Sequence, residues 1–295
     1  MSIIVNICGP GRSGSTLLGS MLGNSPNAFH CGEVYAWFRP YRTHHFKIKC
    51  TCKEDPCPYW EKIKDYPESD FHKKAFERLG VDFVIDSSKE ISWVVDNNRW
   101  AARNGIKVIN LIIWKKLLDL VYSHWKRGRG MVSWRRNFLN WHRKFSDTRL
   151  PFVSVCYNEL ASDPSGKLKD ICRVIGMEYS PGKEDFWNRP QHHLFGSLGI
   201  RKQLETGNFE GIRPPEEFSP EFKKNLEFLN EKITKDKEVQ GIMERLEERE
   251  VSNIDYQACG ETAKWMRRVY PPWYYLKKVQ RVYKRHFPQV WIHEQ

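Results

Sequence analysis

The feature that most constrains this chain lies in its first eighteen residues. Ile3-Ile4-Val5-Asn6-Ile7-Cys8 is a short, nearly continuous apolar run, which reads as a strand covered on both faces. It passes directly into Gly9-Pro10-Gly11-Arg12-Ser13-Gly14-Ser15-Thr16 and then Leu17-Leu18. Glycines permit a tight turn with inward amides. A helix that follows presents free N-terminal amides and a dipole that favours an anion. Arg12, Ser13, Ser15 and Thr16 add side-chain donors. An ordinary glycine-rich strand–helix turn is the plain alternative. The conjunction of strand, glycines, cation, hydroxyls and helix favours a phosphate loop.

The loop has the spacing G-x-x-x-x-G-S-T, with Ser15 where a nucleoside triphosphatase places Lys. That Lys grips the β- and γ-phosphates. Its absence argues against ATP or GTP hydrolysis. The cation here is Arg12, inside the turn.

Further strand-like runs fall at 83–86, 107–113 and 152–157. Helical periodicity falls at 15–22, 90–102, 117–126 and 167–175. Such alternation predicts a parallel sheet with crossover helices, a three-layer α/β/α domain. Residues 35–80 are aromatic, Cys-rich and poorly periodic, and read as an excursion over the carboxyl edge of the sheet. Residues 219–250 read as solvated, highly charged helix. No repeat of 20–50 residues is visible. The simplest division is one domain over 1–260 and a tail over 261–295.

With 295 residues, 40% hydrophobic and 28% charged, the chain can bury a sizeable core, and wholesale disorder is excluded. The net charge is +12. The tail holds eight basic and two acidic side chains, a net of +6. The body is therefore only mildly basic, which suits an anionic ligand better than a nucleic-acid coat. No apolar run reaches the ~18 residues of a spanning helix. A strand at residue 3 leaves no room for a signal peptide, so a cytoplasmic chain with free thiols is expected. Three of the eight cysteines cluster, in Cys50-Thr51-Cys52-Lys53-Glu54-Asp55-Pro56-Cys57. They could join Cys31, His44 or His45 around zinc, form a local disulfide or redox pair, or simply pack. The spacing lacks paired C-x-x-C knuckles.

With Arg12 in its turn, the loop resembles the 5′-phosphosulfate loop of sulfotransferases that use 3′-phosphoadenosine 5′-phosphosulfate (PAPS). The family's second signature follows a later strand, with a basic residue, a Ser eight positions on and often an Arg four beyond. Lys115, Ser123 and Arg127 fit that spacing. Trp114-Lys115-Lys116 stands where the family usually has Arg-Asp-Pro. Lys is a point charge, not a planar fork, so Lys115 and Lys116 both stay open for the 3′-phosphate. His30-Cys31-Gly32-Glu33 resembles the Cys-Gly-Glu segment of tyrosylprotein sulfotransferases and bacterial relatives, where the Glu is the proposed base. Asp86-Ser87-Ser88-Lys89 resembles the segment that carries a Lys near the transferring sulfonate. Tyr157-Asn158-Glu159-Leu160 resembles the segment flanking the nucleotide, and 193–202 the late loop that folds over it. The resemblance spans residues 3–213.

The resemblance implies a P-loop-like sulfotransferase fold, PAPS as cosubstrate and no required metal. It implies sulfonate transfer to a hydroxyl or amine, with Glu33, Lys89 and Arg12 as catalytic residues. Gly11, Arg12, Ser13, Gly14, Ser15, Thr16, Lys115, Ser123, Arg127, Tyr157, Arg201 and Lys202 would bind the nucleotide. Facing a dianionic nucleotide, Glu33 would have a raised pKa. His30 and His193 are rival bases, since His titrates near working pH. Asp86 is read as holding Lys89 or a loop amide. The acceptor is a small molecule, carbohydrate or lipid, not nucleic acid. Its pocket is expected between Glu33 and residues 35–60, among Tyr35, Trp37, Phe38, Tyr41, Tyr59 and Trp60. Two alternatives are a P-loop kinase or phosphohydrolase, with Asp86 as metal ligand, and a non-catalytic basic module for membrane or nucleic acid.

In the tail, 273–287 reads as an amphipathic helix. Tyr275, Leu276, Val279, Val282 and Tyr283 share one face, and Lys277, Lys278, Arg281, Lys284 and Arg285 the other. Aromatic residues flank it, Tyr274 among them. Docking on the domain by the apolar face, peripheral membrane contact through 264–291, and contact with a partner or nucleic acid are three open readings.

Overall fold

β1 (Ile3–Cys8) is buried along its whole length. Its side chains alternate between two faces, as strand geometry requires. Ile3, Val5 and Ile7 enter one core, while Ile4 and Cys8 enter cores on the opposite face. The computed structural model describes residues 2–46, 49–128, 133–209, 211, 212, 214, 217–254, 272, 274–276 and 279.

After β1 come α1 (Ser15–Gly23), β2 (Ala28–Gly32), α2 (Val34–Phe38), α3 (Phe71–Leu79) and β3 (Phe83–Asp86). Then follow α4 (Ile91–Arg103), β4 (Lys107–Trp114), α5 (Leu117–Trp125), α6 (Ser133–Thr148) and β5 (Val153–Cys156). The remaining helices are α7 (Tyr157–Ser162), α8 (Pro164–Ile175), α9 (Leu198–Thr206), α10 (Pro220–Lys223), α11 (Leu226–Lys235) and α12 (Lys237–Glu248). The five strands form one parallel sheet in the order β2-β3-β1-β4-β5. The expected mixed α/β architecture with a central parallel sheet is the one observed.

The chain leaves β1 toward one edge of the sheet and β4 toward the other. The crevice at their carboxyl ends is thus a topological switch point, where open α/β sheets bind ligands. The loop after β1 opens into it. On one face, α1 and α8 cover β1, β4 and β5 through Leu17, Leu18, Met21, Leu168 and Ile171. On the other, α4, α5, α6, α11 and α12 pack together. In the sheet centre, Asn6, Asn97, Asn98 and Asn110 form a buried amide network at 2.8–3.2 Å that fastens α4 to β1 and β4.

Three expectations need correction. β2 is a full strand beside β3, although 28–32 reads in the sequence only as a motif. The excursion over 35–80 is a third core, with Trp60, Ile63, Phe71 and Phe76 packed beneath Phe29 and Val84. Residues 219–250 are docked rather than merely solvated: Phe222, Leu229, Ile233, Val239, Ile242 and Leu246 are buried. Their charged faces hide a helical stripe of apolar positions.

Most of the tail lies outside the described residues. Of its described part, Tyr274 is fully buried, donates to Asp96 Oδ1 at 2.6 Å and accepts from Arg99 Nη1 at 2.8 Å. Tyr275, Leu276 and Val279, read as the docking face, are exposed. Among the described tail residues, the buried contact with the domain is made by Tyr274, which the sequence reads as flanking. No helix among the described residues is long and apolar enough to cross a membrane.

Candidate active site

The loop from Gly9 to Gly14 turns over the carboxyl end of the sheet. Gly9 and Gly14 have φ of 137° and 107°. A Cβ on Gly9 would meet the Ile113 carbonyl, and one on Gly14 would meet the Tyr157 ring. Glycine is required at both places. Arg12 is left-handed too, with φ of 78°, a conformation that strains a residue with a Cβ. Ser13 is buried, and its hydroxyl has no hydrogen-bond partner among the described residues. A leftover buried donor in such a loop suits an anion. Gly14 gives α1 no side-chain cap, so no cap competes for the first-turn amides.

Three later segments converge on this loop. Lys89 follows β3 and is held with φ of 61°. Its Nζ donates to Ser15 Oγ at 3.1 Å and to Glu33 Oε1 at 2.5 Å. Glu33 stands between β2 and α2, so the pair joins two neighbouring strand ends to the loop. Its two side chains are about four-fifths buried, 21% and 20% exposed, which limits solvent screening. Trp141 of α6 donates its indole N–H to the Lys89 carbonyl at 3.2 Å. Next, the Ser197 amide donates to Thr16 Oγ1 at 3.0 Å, and a Cβ on Gly196 would crowd the same hydroxyl. The late loop thus lies on the first turn of α1. Third, the Lys115 ammonium sits 3.9 Å from the centre of the Tyr157 ring, whose edge backs Gly14.

Of the two lysines left open by the sequence, Lys115 is half-buried beside Tyr157. Lys116 is exposed, and its amide donates to Asn158 Oδ1 at 3.1 Å. Ser123 is half-buried on α5, and Arg127 is exposed just beyond it. Arg201 donates to the Lys49 carbonyl at 3.2 Å and lies 3.9 Å from Glu205, while Lys202 is exposed.

Of the two roles read for Asp86, it takes that of holding a loop amide, while Lys89 pairs elsewhere. Asp86 is buried and accepts from the Ser88 amide at 2.9 Å, Trp93 Nε1 at 2.5 Å and Asn97 Nδ2 at 3.2 Å. Burial raises its pKa against those hydrogen bonds. The two histidines are also buried, ring to ring at 4.9 Å, with His30 Nε2 3.1 Å from Ser87 Oγ. Burial pushes His30 well below the ordinary range and His193 down to about 3.

A cavity of about 340 Å³ adjoins the loop, lined by Pro10, Gly11, Lys89, Trp134, Phe138 and Trp141 among others. It is built by α5 and α6, not by residues 35–60. Those aromatics stack mostly on one another: Trp37 meets Phe38 and Trp60 at 4.5 and 5.1 Å. Trp134, Phe138, Trp141 and Phe145 recur at helical spacing, a signal that marks α6 and that the strand-and-loop reading passes over.

The cysteine trio does not gather Cys31, His44 or His45. Cys31 donates to the Ile85 carbonyl at 3.1 Å, and His45 Nδ1 accepts from the Tyr41 amide at 3.3 Å. His192 is the residue beside the trio.

No protein-family model and no curated protein matches the sequence. Two solved sulfotransferase domains are similar to it. One, from the curacin biosynthetic pathway, is 13% identical, covers 78% of this chain and 97% of its own, and superposes with a TM-score of 0.40. The other, from the Synechococcus PCC 7002 olefin synthase, is 12% identical, covers 97% and 94%, and has a TM-score of 0.46.

Proposed function

We propose that this chain is a PAPS-dependent sulfotransferase acting on a hydroxyl or amine of a small-molecule, carbohydrate or lipid acceptor. The observation that carries the reading is Lys89 bridging Glu33 and Ser15, at a glycine loop that has Arg12 in its turn and no loop lysine. A kinase or phosphohydrolase would need that lysine and an acidic metal ligand. Asp86 is a poor candidate for the ligand, because Trp93, Asn97 and the Ser88 amide occupy its oxygens.

The loop amides, Arg12, Ser13, Ser15 and Thr16 hold the 5′-phosphosulfate. Lys115, with Ser123 and Arg127, serves the 3′-phosphate. Tyr157, Arg201 and Lys202 complete the nucleotide's surroundings. The acceptor's oxygen or nitrogen forms a bond to sulfur as the bond from sulfur to the bridging phosphate oxygen breaks. That electron pair stays on the phosphate, where Arg12 and Lys89 stabilise it. The acceptor proton passes to Glu33. The cavity beside Gly11 and Lys89 gives the acceptor a route to the same spot.

Calorimetry with 3′-phosphoadenosine 5′-phosphate against magnesium ATP tests the donor. Tight binding of the first alone is expected, and the reverse would overturn the reading. Transfer of label from PAPS across an acceptor library then identifies the acceptor.

A further inference from the structure

Cys50, Cys52, Cys57 and His192 bring four soft donor atoms within 4.8 Å of one another. They come from two distant segments, with Cys57 and His192 separated by 135 positions. Cys57 Sγ and His192 Nδ1 lie 3.4 Å apart. Tetrahedral Zn²⁺, with sulfur at about 2.3 Å and nitrogen at about 2.0–2.1 Å, puts its ligand atoms roughly 3.5–3.8 Å from one another. The Cys57–His192 separation is already that of such an edge, and the rest of the set needs only a small contraction.

The surroundings hold the donors in place. The Thr51 amide and hydroxyl both donate to the His193 carbonyl, at 3.2 and 2.7 Å. Trp60 Nε1 donates to the His192 carbonyl at 2.6 Å, and the Tyr59 ring stacks on the His192 ring at 4.0 Å. Cys52 and Cys57 are buried, and Cys50 and His192 half-buried. A disulfide would use two sulfurs and leave the third sulfur and the imidazole unexplained. A closed Cys₃His set uses all four, as structural zinc sites do.

We infer that Cys50, Cys52, Cys57 and His192 form a structural Zn²⁺ site. The three thiols release their protons to solvent as the sulfur–metal bonds form. The ion staples the 50–57 loop to the segment leading into Leu194. Leu194 in turn accepts from the Glu33 amide at 2.9 Å and donates to the Cys31 carbonyl at 3.2 Å. The site thereby fixes the backbone beside Glu33 without touching reacting atoms, and it stands whatever reaction the chain performs.

The test is elemental analysis of the full chain, purified without chelator or affinity metal from zinc-supplemented cells. About one Zn²⁺ per chain is expected, with most of it lost in Cys52→Ser and His192→Ala. His192→Cys, which keeps four ligands, should retain it. Because the losing variants could misfold, Co²⁺ exchange into the unaltered chain provides a second readout. Thiolate-to-cobalt charge transfer with tetrahedral d–d bands supports the site. Metal far below one per chain with no thiolate–cobalt band overturns it. So does a disulfide among the trio, found by mass spectrometry of the unreduced chain.

Discussion

Lys89 spans Glu33 and Ser15, with its Nζ 2.5 Å from one and 3.1 Å from the other. One ammonium thus ties the first turn of α1, just past the Gly9–Gly14 loop, to a carboxylate that follows a different strand. Glu33, Lys89 and Ser15 meet because β2, β3 and β1 are neighbours in the sheet. Under the proposed reaction, Arg12→Ala and Lys89→Ala should each lose about 2–4 kcal/mol of transition-state stabilisation. The measurement is kcat/KM with labelled PAPS. Turnover like that of the unaltered chain in both variants would sink the assignment.

Glu33→Gln separates binding from proton transfer. It keeps a side chain of the same shape but removes the charge and the basicity. Nucleotide affinity should stay close to normal while kcat falls steeply. His193→Ala should behave differently. His193 is wholly buried, so its loss should lower the melting temperature more than it lowers kcat. If Glu33→Gln keeps its turnover and a folded His193→Ala loses it, the base is His193.

Stability should fall steeply in mild acid. Burial pushes His72, His142 and His193 down to about 3, and His30 well below its ordinary range. Below about pH 6.5, the unfolded chain takes up protons that the folded chain refuses. Stability from these groups is therefore present above that pH and lost as pH falls toward the folded values. Four such groups together cost on the order of 5 kcal/mol per pH unit in that window. Asp86 and Glu250, raised by burial, act in the opposite direction. Urea midpoints at successive pH values check the slope, and a flat profile from 6.5 to 5 would contradict it.

Lys183 is 1% exposed, and its ammonium has no hydrogen-bond partner among the described residues. Burial lowers its pKa. Lys183→Met keeps the stem and removes the cost of the head group, so it should stabilise the fold by about 1–3 kcal/mol. A fall in the denaturant midpoint would show that the ammonium has a favourable role.

Lys167 is the contrasting case. It lies 3.2 Å from the buried Glu250 and 2.5 Å from Glu159. Glu250 also accepts the Cys156 amide and the Ser154 hydroxyl, at 3.1 and 3.0 Å. Lys167→Ala strands a buried carboxylate at the end of β5 and should cost about 3–5 kcal/mol, read as a lower denaturant midpoint. A change below 1 kcal/mol would mean the carboxylate is not stranded, contrary to the burial argument.

Local chemistry was strong enough to read several elements directly. β1 and β3 fall where their apolar runs place them, and β4 runs one residue longer, through Trp114. Gly9 and Gly14 stand where positive φ is required, because only a residue without a Cβ fits beside Ile113 and Tyr157. These are short-range constraints, set by period, propensity and turn sterics. α6 and the docked face of α11 and α12 were legible as helical spacing, though masked by charge.

The order of residues alone thus carried the alternating α/β plan and the glycine turn after the first strand. Which distant residues meet followed from packing across the whole fold. β2 counts as a strand because β3 supplies its hydrogen-bonding edge. Lys89 reaches Glu33 because the crossover from β2 returns the chain to the adjacent strand β3. His192 joins the cysteine trio across 135 positions, where no spacing rule applies. Among the described tail residues, Tyr274 is the buried one, because Asp96 and Arg99 offer its hydroxyl a pair of partners. Contacts of this kind depend on how layers stack, and stacking is a property of the whole chain.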